Sequence, residues 1–374
     1  MAVLNDWQKL DRVLNGQPFG NGVDGAYSSA TIPTLTKDSC SGTATSTALT
    51  TTGSTFANGD ILLIHQTRGT GVGQWEINKV ASGGGSTSLT LQVALNYTYT
   101  DSGASQTQAV KIPQYTDCTV QSGTWTVPGW DGNVGGIAPF AVKGTMTVTG
   151  TISTNGVGFG GGNYSTGQAT SGEGTVGAQT GQESPNGNGG GGGTVANGQW
   201  GGGGGGGNGA AGIRGSGNEA TGWGQGGLAV GTADLLTFDI GGGGGGPFVV
   251  SGTGGVGGSG AGGTIIFAKA ITITGGMAHA GSNGTKDQNG GGGGAGGSCL
   301  IVCQTAILGS NLITTTGGNG GGKGDGERYG GDGGTGRIAV HHSGTVTGTT
   351  NPTFTDVTDT SLVESGGGAF FAFF

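Results

Sequence analysis

GGGGGGG at residues 201–207 and GGGGGG at residues 241–246 decide the fold of this chain. Glycine supplies 97 of the 374 residues, and the runs concentrate between residues 156 and 336. A glycine fixed in regular structure costs about 0.5–1 kcal/mol more than an alanine, because it loses more backbone entropy. An ordered glycine body therefore needs a compensation that only glycine permits. Close contact between bare backbones, with each N–H bonded to a neighbouring C=O, provides it.

Extended glycine helices with three residues per turn can pack side by side in this way. A Cβ atom pointing inward would force them apart, as a substitution does at the axis of collagen. The runs have no strict Gly-X-Y period, which excludes collagen itself. We therefore predict that residues 156–348 form a bundle of polyglycine-II helices.

Strand-like segments alternate with the glycine runs. Residues 262–274, 296–308 and 335–348 each place β-branched and aliphatic residues directly after a run, and residues 144–162 resemble a fourth copy. A disordered glycine linker would lack such regular apolar inserts. The alternation indicates an ordered body with interleaved β-strands.

Residues 27–155 have the pattern of an all-β domain. Short runs of β-branched, aromatic and aliphatic residues are separated by clusters of Gly, Asn and Ser, as in a small sandwich or barrel. In GTMTVTGTIST (144–154), strict alternation predicts that Met146, Val148 and Ile152 share the buried face of a strand. The predicted fold class is mainly β: a small N-terminal sandwich or barrel, followed by a glycine-rich polyglycine-II helix bundle with interleaved β-strands.

The two ends of the chain are predicted to make separate contacts. In residues 1–26, a short helix at 5–16 is expected to dock on the β domain or on a partner subunit. Residues 349–374 form a tail whose apolar end, GGGAFFAFF, either packs back on the fold or inserts into a neighbouring subunit. The opening residues lack the pattern of a signal peptide, so we expect none.

Composition excludes several partners. The net charge is −8 and only 9% of residues are charged, so no basic stripe is present to neutralise the phosphates of nucleic acid. No stretch approaches the ~20 apolar residues that cross a bilayer, and we expect no membrane insertion.

Motifs for catalysis are missing from the sequence. The G-x-S-x-G nucleophile pattern is absent, and GGNGGGKG at 317–324 has glycine where a phosphate loop needs Ser or Thr. Carboxylate pairs are sparse and lie in predicted loops, which gives no glycosidase pair. We therefore predict that the chain is not an enzyme and has no catalytic residue and no cofactor.

Cysteine, histidine and acidic residues were considered as metal ligands. Cys299 and Cys303 share one face of a predicted strand, and we interpret them as buried thiols. A metal site with His341 and His342 is the alternative, although the spacing matches no zinc pattern.

A lone calcium ion at Asp325, Glu327 and Asp332 is a second alternative. The preferred interpretation is that these three are solvated acidic residues of a loop. No metal site is therefore predicted. Whether Cys40 and Cys118 pair stays open.

Aromatic residues stand beside the glycine runs. We predict that they cover the outer faces of the bundle, where they would shield glycine backbone. They are Phe159, Trp200, Trp223, Phe238 and Phe248.

Polar, irregular connectors join the runs at residues 163–186, 210–221, 279–289 and 323–332. We expect them at the ends of the bundle, as loops on a rigid scaffold. Their Asn, Ser, Thr, Gln and Gly residues, with a few aromatics, provide the adaptable contacts seen in antibody paratopes. The predicted receptor-binding residues are Tyr164, Gln168, Glu173, Arg214, Asn218, Trp223, Lys286, Asp287, Arg328 and Tyr329.

The glycine runs and polar connectors between residues 156 and 336 resemble the receptor-binding adhesins of phage long tail fibres. That resemblance implies a polyglycine-II scaffold on an attachment domain, with binding loops at its free tip. It implies a virion protein that acts outside the cell, binds a host polysaccharide or outer-surface protein, and assembles with other fibre subunits. The resemblance rests on composition and alternation.

Two other functions fit parts of the pattern. The chain resembles glycine-rich surface proteins of bacteria, which implies a subunit of an extracellular bacterial or archaeal filament or matrix. An ice-binding bundle would need a near-perfect tripeptide repeat, which this sequence lacks.

Overall fold

The computed structural model describes residues 13–14, 16–194, 201–217, 222–322 and 328–362. The predicted helix at 5–16 and the apolar end of the predicted tail lie mostly outside these ranges, as does Trp200. Across the described ranges, no helix is long and apolar enough to span a bilayer.

The described residues contain eighteen β-strands, which confirms that the fold is mainly β. Their bounds are β1 Tyr27–Ser29, β2 Lys37–Ser41, β3 Ala48–Thr51, β4 Ile61–Arg68, β5 Trp75–Ser82, β6 Ser88–Leu91, β7 Gln106–Lys111, β8 Gln114–Tyr115, β9 Cys118–Val120, β10 Thr124–Thr126, β11 Ile137–Val148, β12 Thr151–Ser153, β13 Gly263–Ile273, β14 Gly276–Ala278, β15 Ser298–Thr314, β16 Arg337–His342, β17 Val346–Asn351 and β18 Thr355–Thr358.

Strands β2 to β7 form a closed antiparallel barrel in the order β2-β3-β6-β5-β4-β7. Alternate residues of β4 face opposite ways, so Leu62 and Ile64 fill the barrel while Ile61 and Leu63 pack outside it. The short apolar runs predicted a sandwich or a barrel, and the structure has the barrel.

The other strands stack in parallel, one coil of the chain on the next. In successive coils Phe140, Ile266, Ile301 and Val340 lie opposite one another in register and are fully buried. Burial of each such side chain contributes about 1.5–3 kcal/mol. Because β11 before residue 155 pairs with β13 after it, one sheet continues across the predicted domain boundary.

Short strands form a second ladder, in which Trp125, Ile152, Met277 and Ile313 are aligned. Met146, Val148 and Ile152 are all fully buried, so the buried face predicted from alternation is confirmed. The segment is two strands rather than one, because the chain bends at residues 149–150 between β11 and β12.

The glycine runs are neither helix nor strand by their hydrogen bonding, but they are ordered by backbone contacts. The N–H groups of residues 241–246 donate in turn to the carbonyls of Ala261, Gly207, Glu173, Gly258, Gly204 and Thr170. The carbonyls of the same residues accept in turn from Phe159, Ala295, Gly190, Gly162, Gly292 and Gly193. Every third residue therefore bonds the same neighbour, and the run is surrounded by six segments.

Residues 201–207 repeat this arrangement. The N–H groups of residues 202–207 donate in turn to Ser216, Gly290, Gly191, Ile213, Gly293 and Asn188. All seven glycines are buried. Because every N–H and C=O of residues 202–207 has a partner in a neighbouring segment, these hydrogen bonds offset the cost of burying the backbone.

Three of the aromatic residues beside the runs do not lie where they were predicted. Phe159 and Phe238 are fully buried in an apolar core that also contains Leu63 and Trp75 of the barrel. Phe248 is buried as well. The prediction of an outer covering is wrong for these residues, since the barrel gives the first two rings an apolar partner.

We predict that Gly244→Ala destabilises the fold. A Cβ at this position would overlap the carbonyl oxygen of Gly292, and backbone on all sides limits relaxation. Overpacking of this kind costs about 1–3 kcal/mol or more, which thermal or denaturant unfolding would measure.

Gly181→Ala is the matched control. A Cβ on Gly181, which is exposed, would meet its nearest atom, the Gln168 carbonyl oxygen, at 3.8 Å. Gly181→Ala is expected to leave the free energy of unfolding unchanged or to raise it slightly, because alanine has less conformational freedom than glycine in the unfolded chain. Equal stability of the two variants would contradict close packing of the run.

Acidification is predicted to destabilise the fold through two buried histidines. Burial lowers the pKa of His65 to about 4 and that of His279 to about 3. Each histidine takes up a proton more readily when unfolded, near its ordinary pKa of about 6.5. The stability they contribute is therefore complete above pH about 6.5 and is lost as the pH falls toward 4. Asp239 opposes them, because burial raises its pKa to about 7.

The variant His279→Gln isolates one of these contributions. Between pH 7 and pH 5 its free energy of unfolding should fall by roughly 2 kcal/mol less than that of the wild type. Denaturant titrations at both pH values measure the difference. If the free energy of unfolding fell equally in the wild type and in His279→Gln, the buried His279 could not be neutral with a lowered pKa.

Candidate functional site

The hydrogen-bond register shows which ends of the glycine segments lie together. The N–H of Phe248, after one run, bonds Gly201 at the start of another, and the N–H of Gly203 bonds Gly290 at the start of a third. The opposite ends meet the sheet, because β13, β15 and β16 each begin directly after a glycine segment. One end of the glycine body thus meets the strands, and the loops next to residues 162, 201, 246 and 290 lie at the other end. The loop at residues 228–236 turns at the sheet end, where Arg337 Nε donates to the Val230 carbonyl at 3.0 Å.

Contacts between these loops form one continuous surface, which we call the tip. Ser165 pairs with Phe248 as an isolated β-bridge. Ser216 N–H donates to the Tyr329 carbonyl at 2.9 Å, joining two further loops. The tip comprises residues 163–169, 216–217, 222–223, 247–254, 285–290 and 328–329.

Five of the predicted receptor-binding residues are exposed on the tip. Tyr164 and Tyr329 each expose 37% of their surface, a large fraction for an aromatic residue. Gln168 is also exposed. Lys286 and Asp287 are exposed on the loop before the run at 290, where the Asp287 carboxylate accepts from the Thr253 hydroxyl of a neighbouring loop.

Two more predicted residues form a pair at the edge of the tip: Trp223 belongs to the tip, and Arg214 lies beside it. The Arg214 guanidinium lies over the Trp223 ring, 4.4 Å from its centroid, a cation–π geometry. Arg214 is exposed and Trp223 is half-buried, so the stacked guanidinium shields the indole. Arg328 is half-buried with a φ of 67°, and its carbonyl accepts from Gly290 N–H at 3.0 Å.

Glu173 lies inside the molecule, away from the tip. It forms a buried ion pair with Arg68 of the barrel. Its carboxylate also accepts from Trp130 Nε1 at 2.8 Å and from Gly160 N–H at 3.2 Å. These contacts join the barrel to the glycine body. Glu173 is therefore not part of the candidate surface. Asn218 lies outside the described residues.

The tip offers adaptable polar contacts and two rigid aromatic rings. Tyrosine supplies large contact area at a low entropy cost, and its hydroxyl adds a hydrogen bond. Lys286, Arg328 and Asp287 add charges of both signs. Such a surface is suited to a sugar or to the polar loops of a protein.

Sequence reasoning missed one loop of this surface, PFVVSGTG at 247–254. Its Phe-Val-Val start reads as apolar core, yet Val250 is half exposed. Its position directly after the run at 241–246 was the usable signal, because the loop at 163–169 likewise follows a run.

The cysteines and the His341–His342 pair, candidate metal ligands by their chemistry, are buried. All four cysteines are free and buried, and burial raises the pKa of Cys299 and Cys303 to about 12. His341 Nε2 lies 2.7 Å from the Asp234 carbonyl, and His342 Nε2 lies 2.7 Å from the Asp356 carboxylate. Within the described ranges, no three potential ligands are grouped as a metal site.

Comparison with known proteins gives no relative for the chain. No protein-family model matches it. No curated protein and no solved structure matches it either.

Proposed function

We propose that the chain is a receptor-binding structural protein, an adhesin of a phage tail fibre, with the tip as its contact surface for a host polysaccharide or outer-surface protein. The observation that carries this proposal is the convergence of the tip loops at the end of the glycine body away from the sheet. The opposite end meets the sheet and barrel, so within the described ranges the tip is the end without a packed domain. The proposal assigns the chain no catalytic role and no cofactor.

We further infer that the glycine segments are polyglycine-II helices. This inference is supported by the hydrogen bonds of residues 201–207 and 241–246, in which every third residue bonds the same neighbouring segment. A polyglycine-II helix has the same period, three residues per turn. Six neighbours around one run are expected for side-by-side packing of threefold helices. A Cβ on any of residues 242–246 would overlap a neighbouring carbonyl oxygen, which explains why these positions are glycine.

A rigid scaffold of this kind suits recognition. Backbone hydrogen bonds hold the segments, so the loops at their ends carry little of the folding energy. Loop residues can then change without loss of the frame, as in other binding proteins with loops on a rigid support. In a tail fibre, the other subunits would attach to this chain at surfaces outside the tip.

A second function, subunit of an extracellular filament, is favoured by the open edges of the sheet. β1 pairs with β9 and β18 pairs with β16, and in the described part of the chain neither has a partner on its other side. An unpaired strand can accept a strand of another copy. Repetition of that contact would build a polymer.

Binding to cells is predicted to depend on the two tip tyrosines. The double variant Tyr164→Ala, Tyr329→Ala should lower the affinity of the labelled full chain for intact bacteria at least roughly tenfold, because it removes two aromatic anchors. Flow cytometry over a panel of bacterial strains gives the measurement.

Ile307→Ala is the control, since Ile307 is 56% exposed on β15, outside the tip. Its binding should equal that of the wild type. Undiminished binding by the tyrosine variant, or an equal loss in both, would refute the tip as the contact surface.

The assembly state distinguishes the two proposals. An adhesin should sediment as a single small species and appear as discrete particles by electron microscopy. A filament subunit should form long polymers that disappear in Thr358→Pro, which removes a backbone donor of β18 that points away from β16. Polymers of this kind would count against the adhesin.

A further inference from the structure

A groove on the barrel is separate from the tip and has no role in the function proposed above. It has a volume of about 480 Å³, within the range of small-molecule sites. It lies between the β2–β3 connection and the segment after β6. Its lining residues are Ser41, Gly42, Thr43, Ser46, Ala48, Thr50, Thr98, Tyr99, Thr100, Asp101 and Ser102.

Hydroxyl groups dominate the lining, and several have unused hydrogen-bonding capacity. Five of these side-chain hydroxyls make no hydrogen bond to another described residue. Each can donate one hydrogen bond and accept two. They belong to Ser41, Thr43, Thr50, Thr100 and Ser102.

The wall of the groove is held in place from behind. Gln66 is fully buried, and its side chain accepts from Thr100 N–H at 2.9 Å and donates to the Thr100 carbonyl at 2.9 Å. The buried Thr107 hydroxyl donates to the same Gln66 amide at 2.7 Å. On the other side, Gly42 and Tyr99 exchange backbone hydrogen bonds of 2.8 and 3.1 Å. The hydroxyls are therefore presented from a fixed backbone.

Asp101 is the one charged residue in the lining. Its carboxylate has a long contact, 3.5 Å, with the N–H of Thr107. Burial raises the pKa of Asp101, and the nearby Asp38 carboxylate adds to this effect. The lining holds no lysine or arginine, so the groove offers no partner for an anion. Besides Tyr99 it holds no large apolar side chain, which disfavours a lipid or a greasy peptide.

We propose that this groove is a binding site for a neutral saccharide. Sugar hydroxyls both donate and accept, which matches the hydroxyl lining, and Asp101 would accept two of their hydrogen bonds. Charge-assisted bonds of this kind are the strongest available to an uncharged polyol. The barrel would then hold a glycan independently of the tip.

The test is an array of immobilised neutral, sialylated and sulfated oligosaccharides, probed with the full chain. Calorimetric titration with the neutral oligosaccharide that gives the strongest signal follows. Asp101→Asn should weaken this binding about tenfold or more, because it removes the charged acceptor. Thr50→Trp, on an exposed position of β3, should abolish it by filling the groove.

Two controls match these variants. Asp131→Asn removes an exposed carboxylate from a turn outside the groove, and Thr126→Trp adds an indole to an exposed position of β10. Both should bind the oligosaccharide as the wild type does, and so should the double tyrosine variant of the tip. Circular dichroism checks that each variant is folded.

The proposal is overturned if the wild type binds no neutral oligosaccharide or prefers the sulfated or sialylated ones. It is also overturned if folded Asp101→Asn retains full affinity. Loss of binding in the tip variant, with no effect of Asp101→Asn, would assign the saccharide to the tip instead.

Discussion

The missing Cβ atom is the constraint on which the rest of the structure depends. In residues 241–246 the backbone is surrounded by six other segments, and carbonyl oxygens occupy the places that side chains would take. Backbone hydrogen bonds and van der Waals contacts replace the apolar side chains of an ordinary core. Each such bond contributes only about 1 kcal/mol net, so many must form together to offset the large entropy loss of glycine. The body is consequently ordered as a whole.

Apolar side chains act where the glycine body ends. The parallel ladders through Phe140 and Trp125 give the coils a conventional core, and the core around Phe238 and Trp75 fixes the barrel against them. The Arg68–Glu173 ion pair lies at the same junction, with Trp130 completing the contacts of the carboxylate. Separation of the two side chains would leave each charge buried without a partner, which is costly. The pair therefore favours the arrangement of barrel and glycine body in which the two residues meet.

Local patterns predicted a small antiparallel β domain and the buried faces of β11 and β12, because alternation and turn residues are short-range signals. They did not distinguish a sandwich from the closed barrel, which depends on the pairing of β2 with β7. The single sheet across residue 155 was not predictable, since the pairing of β11 with β13 joins residues more than a hundred positions apart. The polar connectors between glycine segments contain most of the tip residues, so the sequence predicted much of this surface. Glu173 shows the limit of that rule: a carboxylate in a polar connector gives no sign that Arg68 lies next to it. The groove on the barrel was missed because Ser and Thr there read as ordinary strand and turn residues.

The long excursion between β12 and β13 has a consequence for how such a protein can grow. In the described residues of this excursion, outgoing and returning glycine segments alternate, and Gly262 N–H bonds the Thr154 carbonyl where the chain re-enters the sheet. Insertion or deletion of one whole pair would widen or narrow the body and would add or remove one exposed turn, with the strand register unchanged. Size and recognition can therefore diverge between descendants by duplication of a simple unit, while the sheet stays constant.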